Sequence, residues 1–136
     1  MTHIFADAAY WIALLNPRDF LLGRASAISG KLSGSCIVTT DLVLTEVLNS
    51  CAGATARMRT DAAKSIRSLR ANGMVIVEVL TPEYFDAALD LYSKRTDKAW
   101  SLTDCLSFMV MERYGIHSAL TSDRHFEQAG FKALLR

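Results

Sequence analysis

Short apolar runs rich in β-branched residues recur along the chain, and between them lie stretches whose apolar positions fall three or four apart. His3 to Asp7 is an apolar run closing on an acid, the pattern of a strand buried on both faces. Ala8 to Leu15 predicts a helix that stops at Asn16-Pro17, because the residue before a proline is pushed out of the helical region. Asp19 caps the next predicted helix, with Leu21, Leu22, Ala25, Ile28 and Leu32 in a helical period and Gly34 as its stop. Cys36 to Thr40 is a second strand, after which Asp41 is read as the N-cap of a helix with Leu44, Val47, Leu48 and Cys51 on one face. A polar helix from about Thr55 to Ala71 ends at Asn72-Gly73, and Met74 to Val77 is a third strand. Thr81-Pro82-Glu83 opens a helix with the stripe Phe85, Ala88, Leu89 and Tyr92. Leu102 to Met111 is apolar nearly all round, which predicts a helix buried on most sides. Gly115 ends it; Ala119 to Thr121 is a fourth strand, Arg124 to Ala129 a short helix, and Phe131 to Leu135 a last strand.

Strands alternating with helices imply βαβ units and hence a parallel sheet covered on both faces. No internal repeat, low-complexity tract or linker interrupts the pattern, so the 136 residues read as one α/β domain with a core of its own. In such sheets ligands bind beyond the carboxyl ends of the strands. Asp7 follows the first strand and Asp123 the fourth.

Composition narrows the picture. Fifteen basic against fourteen acidic residues leave a formal charge of +1, so a polyanionic partner must be met by a local patch. Cys36, Cys51 and Cys105 form no CxxC pair and lie in apolar runs; they read as buried reduced thiols of a cytoplasmic protein. The longest uninterrupted apolar run, Ala8 to Leu15, falls far short of the ~20 residues of a membrane span, and no basic segment of a signal peptide precedes it.

Four acids share one address. Asp7 and Asp123 sit at strand ends, Asp104 opens the apolar helix, and Glu46 lies about one turn into the helix after the second strand. Helix capping competes with any chemical role: Ser101-Leu102-Thr103-Asp104 matches a capping box, and Asp7 and Asp123 are also placed as N-caps. Glu46 resists that reading, since it lies beyond the first turn. Two carboxylates ~5 Å apart repel by roughly 3 kcal/mol at an effective dielectric of 20, so a clustered set calls for a compensating cation. Lys98 and Arg124 are too few to supply it. Oxygen donors without Cys or His at ligand spacing select hard ions, Mg²⁺ or Mn²⁺ rather than zinc. Such an ion, with open water positions, serves phosphoryl-oxygen chemistry.

Other candidates have structural readings beside functional ones. The helix carrying Arg57, Arg59, Lys64, Arg67 and Arg70 is either an RNA-guiding surface or a solvated face, while Lys94, Arg95, Lys98 and Arg124 lie nearer the acids. Trp11 and Trp100 are read as core. His125 tempts a general-base assignment but is read as structural, and His3 and His117 carry no signal.

Taken together, Phe5-Ala6-Asp7 with Trp11, Thr45-Glu46-Val47-Leu48-Asn49, Trp100-Ser101-Leu102-Thr103-Asp104-Cys105 and Leu120-Thr121-Ser122-Asp123 continuing to Phe131 resemble the PIN-domain ribonucleases, and within them the bacterial toxins of the VapC kind. The resemblance implies a five-stranded parallel sheet of order 3-2-1-4-5 flanked by helices, and Mg²⁺- or Mn²⁺-dependent endonucleolytic cleavage of RNA. It implies that Asp7, Glu46, Asp104 and Asp123 form the metal pocket, with Asp7 and Asp104 as direct ligands and Glu46 and Asp123 holding a second ion, water or the ligand geometry. Asn49, Ser101, Thr103 and Ser122 would hydrogen-bond the acids or the phosphate, and Asp97 is a candidate fifth acid. It further implies a toxin held inactive by an antitoxin, and a homodimer. The alternative on the same fold is a catalytically inactive RNA- or protein-binding module, against which the complete set of acids speaks. A receiver-type phospho-acceptor domain would need paired acids after the first strand and a lysine after the fifth; the chain offers only Asp7 there, and Lys132 lies inside the last strand. No glycine-rich loop follows a strand, which excludes a nucleotide-binding Rossmann domain.

Overall fold

The computed structural model describes residues 2–136. Five strands, β1 (Thr2–Ala6), β2 (Ser35–Thr40), β3 (Val75–Glu78), β4 (Ser118–Leu120) and β5 (Lys132–Ala133), form one sheet in the order β3-β2-β1-β4-β5. All pairings are parallel, with Ile4 opposite Ile37, Val38 opposite Ile76 and Phe5 opposite Ala119. The order expected from the resemblance is the order observed. Helices α1 (Ala8–Leu15), α2 (Leu22–Ser29), α3 (Asp41–Ser50) and α4 (Ala56–Ala71) connect β1 through β2 to β3, and α5 (Pro82–Lys94), α6 (Leu102–Tyr114) and α7 (Arg124–Gln128) complete the chain. The chain winds outward from β1 in one direction and then returns to build β4 and β5 on the other side. Right-handed crossovers therefore place α1 to α4 on one face and α5 to α7 on the other. The packing of α1 on α2 and α3, and of α6 on α5 and α7, agrees. Between β1 and β4 the direction of winding reverses, which opens a crevice at their carboxyl ends.

Alanines and β-branched residues let the strands lie close under two helical layers: Phe5, Ala6, Val38, Ala119 and Leu120 are fully buried. α6 buries Cys105, Leu106, Phe108, Val110 and Met111, as its uninterrupted apolarity predicts. It ends at Gly115, whose φ of 65° is left-handed and lets the Ile116 amide reach back to the Met111 carbonyl at 2.8 Å. An aromatic chain crosses this layer. Phe108 meets Trp100 and Phe126 edge-on with ring centroids 5.0 Å apart in both cases, and Phe126 lies 6.1 Å from Phe5. It fixes the start of α6 and the start of α7 against β1. Trp11 and Trp100 are both core residues, as the sequence suggests.

Several local expectations are corrected. α2 ends at Ser29 rather than near Gly34: its segment is rich in Gly and Ser, and the Ser29 hydroxyl bonds the Ala25 carbonyl, competing with helix continuation. On α5 only Ala88 of the predicted stripe is buried, whereas Phe85, Leu89 and Tyr92 are 41%, 45% and 52% exposed; the core-facing line runs through Tyr84, Ala88 and Leu91. Leu48 and Cys51 likewise lie off the buried face of α3, leaving Cys36 and Cys105 as the buried thiols. No disulfide links the cysteines among the described residues.

Asp41 is not an N-cap. Thr40, in extended conformation at the strand end, caps α3 through its hydroxyl, which accepts from the Val43 amide at 3.1 Å. The Asp41 carboxylate instead accepts the Leu80 amide on both oxygens at 3.1 Å, tying the start of α3 to the segment leaving β3. Asp41→Ala should therefore lower the unfolding free energy in urea by about 1.5–3 kcal/mol, the range for a hydrogen bond to a charged group, and Thr40→Ala by about 1 kcal/mol, the value of an N-cap.

Candidate active site

The crevice between β1 and β4 receives the four acids. Asp7 follows β1 at the N-cap position of α1 but makes no capping hydrogen bond. Its carboxylate, only 8% exposed, accepts instead from the buried Thr121 hydroxyl at the end of β4, 2.8 Å from Oδ2. The capping alternative thus fails for Asp7. For Asp104 it holds together with the site role. Ser101 and Asp104 form the complete capping box: the Ser101 hydroxyl accepts the Asp104 amide at 3.0 Å and Asp104 Oδ2 accepts the Ser101 amide at 3.1 Å. Asp123 caps α7, its Oδ1 accepting the His125 amide at 2.8 Å. Glu46 reaches the same mouth from the exposed side of α3, within electrostatic range of Asp7, Asp104 and Asp123.

The electrostatics follow from this crowding. Burial pushes Asp7 from 3.8 up to about 6; the Thr121 hydrogen bond opposes that shift, and the charges of Asp104 and Glu46 add to it. Glu46 is also raised, first by desolvation, with the Thr103 hydroxyl pulling the other way and Asp104 and Asp123 raising it further. Among the described residues no lysine or arginine forms an ion pair with any of the four.

Two residues organise the cluster, one given no role from the sequence and one weighed there as a general base and read as structural. The fully buried Thr121 hydroxyl accepts the Asp123 amide at 3.0 Å while donating to Asp7. An amide can only donate, so the hydroxyl proton is committed to the Asp7 carboxylate. The sequence signal was a hydroxyl ending an otherwise apolar strand two residues before an acid. The other is His125, whose Nδ1 lies 3.0 Å from Asp104 Oδ2 and 3.4 Å from Asp123 Oδ1. Asp104, Asp123 and His125 offer ligand atoms within 4.8 Å of one another.

The remaining candidates divide. Thr103 stands beside Glu46, and Ser101 serves the Asp104 capping box. Ser122 contributes its carbonyl to Arg136 at 3.4 Å rather than a hydroxyl to the acids. The exposed side chains of Asn49 and Arg124 make no hydrogen bond to the acids among the described residues. Asp97 lies in an exposed loop, held by Arg95 at 3.0 Å and Lys98 at 3.7 Å. Arg95 also stacks over Trp100 at 4.7 Å, so two of the predicted RNA-contacting cations are engaged locally.

The donor set fits a hard divalent cation. Asp104 and Asp123 each commit one oxygen to the protein, and no protein hydrogen bond reaches Asp104 Oδ1 or Asp123 Oδ2 among the described residues. Anchored carboxylates that keep a free oxygen, beside a buried Asp7 with no Lys or Arg partner among the described residues, suit a divalent cation, and the His125 ring beside them is a nitrogen donor that the spacing of residues in the sequence did not show.

Asp7 links this site to stability. A carboxyl whose folded pKa is above its unfolded one binds its proton more tightly when folded, so stability is retained at low pH and lost as pH rises through the window from 3.8 to about 6. The metal-free protein should lose about 3 kcal/mol of unfolding free energy across that window through Asp7. Asp7→Asn should flatten this dependence and be more stable than the wild type at pH 7.5 without metal, as measured by urea denaturation at several pH values.

Comparison with known proteins closes the argument. Residues 4–132 match the PIN domain family. The chain is 30% identical over 131 residues to the 23S rRNA-specific endonuclease VapC20 from two strains of Mycobacterium tuberculosis, covering 94% of this chain and 95% of that protein. The crystal structure of M. tuberculosis VapC20, described as a sarcin-ricin loop cleaving toxin, superposes with a TM-score of 0.84 at 26% identity, covering 94% of this chain and 95% of that one. With its sheet order, its crevice of acids and this match along nearly its whole length, the chain belongs to the PIN-domain family.

Proposed function

We propose that the chain is a metal-dependent endoribonuclease acting as the toxin of a toxin–antitoxin pair. The observation that carries this reading is the convergence of Asp7, Glu46, Asp104 and Asp123 on one crevice without a lysine or arginine paired to them. The similarity to a curated ribosomal-RNA endonuclease supports RNA as the substrate and a toxin as the biological role.

Asp7 and Asp104, the two most buried acids, would hold Mg²⁺ or Mn²⁺. Glu46 and Asp123, closer to solvent, would hold water or a second ion and orient the ligands. Held there, such a cation would supply polarisation of a phosphoryl oxygen and a lowered pKa of bound water. The protein's own contribution is geometry: Thr121 fixes Asp7, and the capping box fixes Asp104 at the positive end of α6. The exposed Arg124 and Lys94 supply phosphate contacts at the rim. The 23S ribosomal RNA is the first substrate to test, because the similar toxins are named for it. An antitoxin is the expected protein partner, and the cytoplasm the expected location. No helix among the described residues is long and apolar enough to cross a membrane.

Added Mn²⁺ should raise the melting temperature of the wild type and far less that of Asp104→Asn, in which Asn can still serve the cap but carries no charge. Asp104→Asn should also lose at least about 100-fold in cleavage of 23S ribosomal RNA, as expected for loss of a ligand. Expression of the chain alone should arrest growth and that of Asp7→Ala should not. Full cleavage by Asp104→Asn would remove it from the pocket.

A homodimer also belongs to this reading. The exposed stripe Phe85, Leu89 and Tyr92 on α5 is larger than a lone surface apolar residue and would be covered by a second copy. Leu89→Glu should convert the dimer to monomer in sedimentation velocity while leaving the melting temperature within a few degrees.

A further inference from the structure

Among the described residues whose side chains contact the four acids, His125 is the one that is neither acid nor hydroxyl. The rest of its α7 segment is rigidly held: the His125 amide bonds Asp123 Oδ1 at 2.8 Å, and the next residue, Phe126, is fully buried between Phe5 and Phe108. The ring is mostly covered, and Nδ1 faces two carboxylate oxygens from different elements, Asp104 Oδ2 on α6 at 3.0 Å and Asp123 Oδ1 before α7 at 3.4 Å. A lone pair at Nδ1 would repel both oxygens, and Asp104 Oδ2 is an acceptor already used by the Ser101 amide. Attraction therefore requires the proton on Nδ1.

We propose that His125 is a positioning residue, whose Nδ1–H bridges Asp104 and Asp123 and so turns their uncommitted oxygens toward a shared cation. The proposal rests on the metal-dependent ribonuclease reading and assigns the ring to holding the ligands rather than to binding metal. With Nδ1 committed to carboxylates, that nitrogen is unavailable as a ligand. Among the described residues no other side-chain contact between the acids joins these two elements: the Thr121 hydroxyl links Asp7 to the Asp123 amide, and His125 links Asp123, through its own amide and the 3.4 Å approach of its ring, to Asp104. Three of the four acids then form one continuous hydrogen-bonded line across the crevice.

The test uses the full chain as wild type, His125→Ala and His125→Asn. Asn carries an amide N–H close to where Nδ1–H stands. In thermal-shift titrations with Mn²⁺ alone, His125→Ala should need about tenfold more metal for half-maximal stabilisation, the effect expected of a group that orients ligands, and His125→Asn should recover most of that loss. In RNA cleavage, His125→Ala should lower kcat with KM within about twofold of wild type. Long-range ¹H–¹⁵N spectra of the metal-free wild type should show the Nδ1–H tautomer. The proposal is overturned by an Nε2–H tautomer, by His125→Ala titrating with Mn²⁺ as the wild type does, or by His125→Asn being no better than Ala, which marks a direct ligand or a packing residue. If the wild type itself is not stabilised by Mn²⁺, the metal reading fails and the ligand-orienting role with it, while the tautomer separately decides whether the bridge exists.

Discussion

A carboxylate buried at the end of a central strand, with acids around it and no lysine or arginine paired to it among the described residues, is the constraint on which this structure turns. Removing Asp7 from water and placing it near Asp104 and Glu46 disfavours its charged form enough to push its pKa up to about 6. Proteins retain such a cost where it serves a task. On the proposed reading, the task is to keep negative charge concentrated at a point where a divalent cation and a phosphodiester would meet.

The fold places that point where parallel α/β sheets place their sites, in the crevice where the winding reverses. β1 delivers Asp7, β4 delivers Thr121 and Asp123, and α6 and α3 present Asp104 and Glu46. The aromatic contacts from Trp100 through Phe108 and Phe126 to Phe5 lock these elements just beneath the acids. Repelling groups stay together because the apolar layer under them holds their backbones, so the strain is met by packing rather than by ion pairs. The Asp41 link from α3 to Leu80 does the same on the far side of the sheet.

Around the acids, hydrogen bonds assign a use to particular oxygens. The Thr121 hydroxyl, the Ser101 amide and the His125 amide and ring each take an oxygen of a carboxylate. The oxygens they leave free are thereby oriented before any ligand arrives. Helix capping and metal binding are thus compatible duties for Asp104 and Asp123, since a carboxylate has two oxygens and each duty needs one.

The sequence by itself determined the element order and the parallel sheet, because buried strands, proline and glycine stops and caps are encoded locally, and it singled out the four acids that meet at the crevice, three at element boundaries and Glu46 inside α3. It misjudged features that depend on what lies across space. The stripe Phe85, Leu89 and Tyr92 has a helical period, yet whether a face is covered depends on the neighbouring helix. Asp41 has the position of a cap, yet Thr40 holds the extended geometry and Leu80 offers the competing amide. Only the tertiary structure decided that Asp7 accepts from Thr121 and makes no capping hydrogen bond to α1, and that His125 reaches Asp104, 21 residues away in the chain. Hydrogen bonds between side chains on separate elements have no period and no fixed spacing, so they become legible only when the sheet and its helices are assembled.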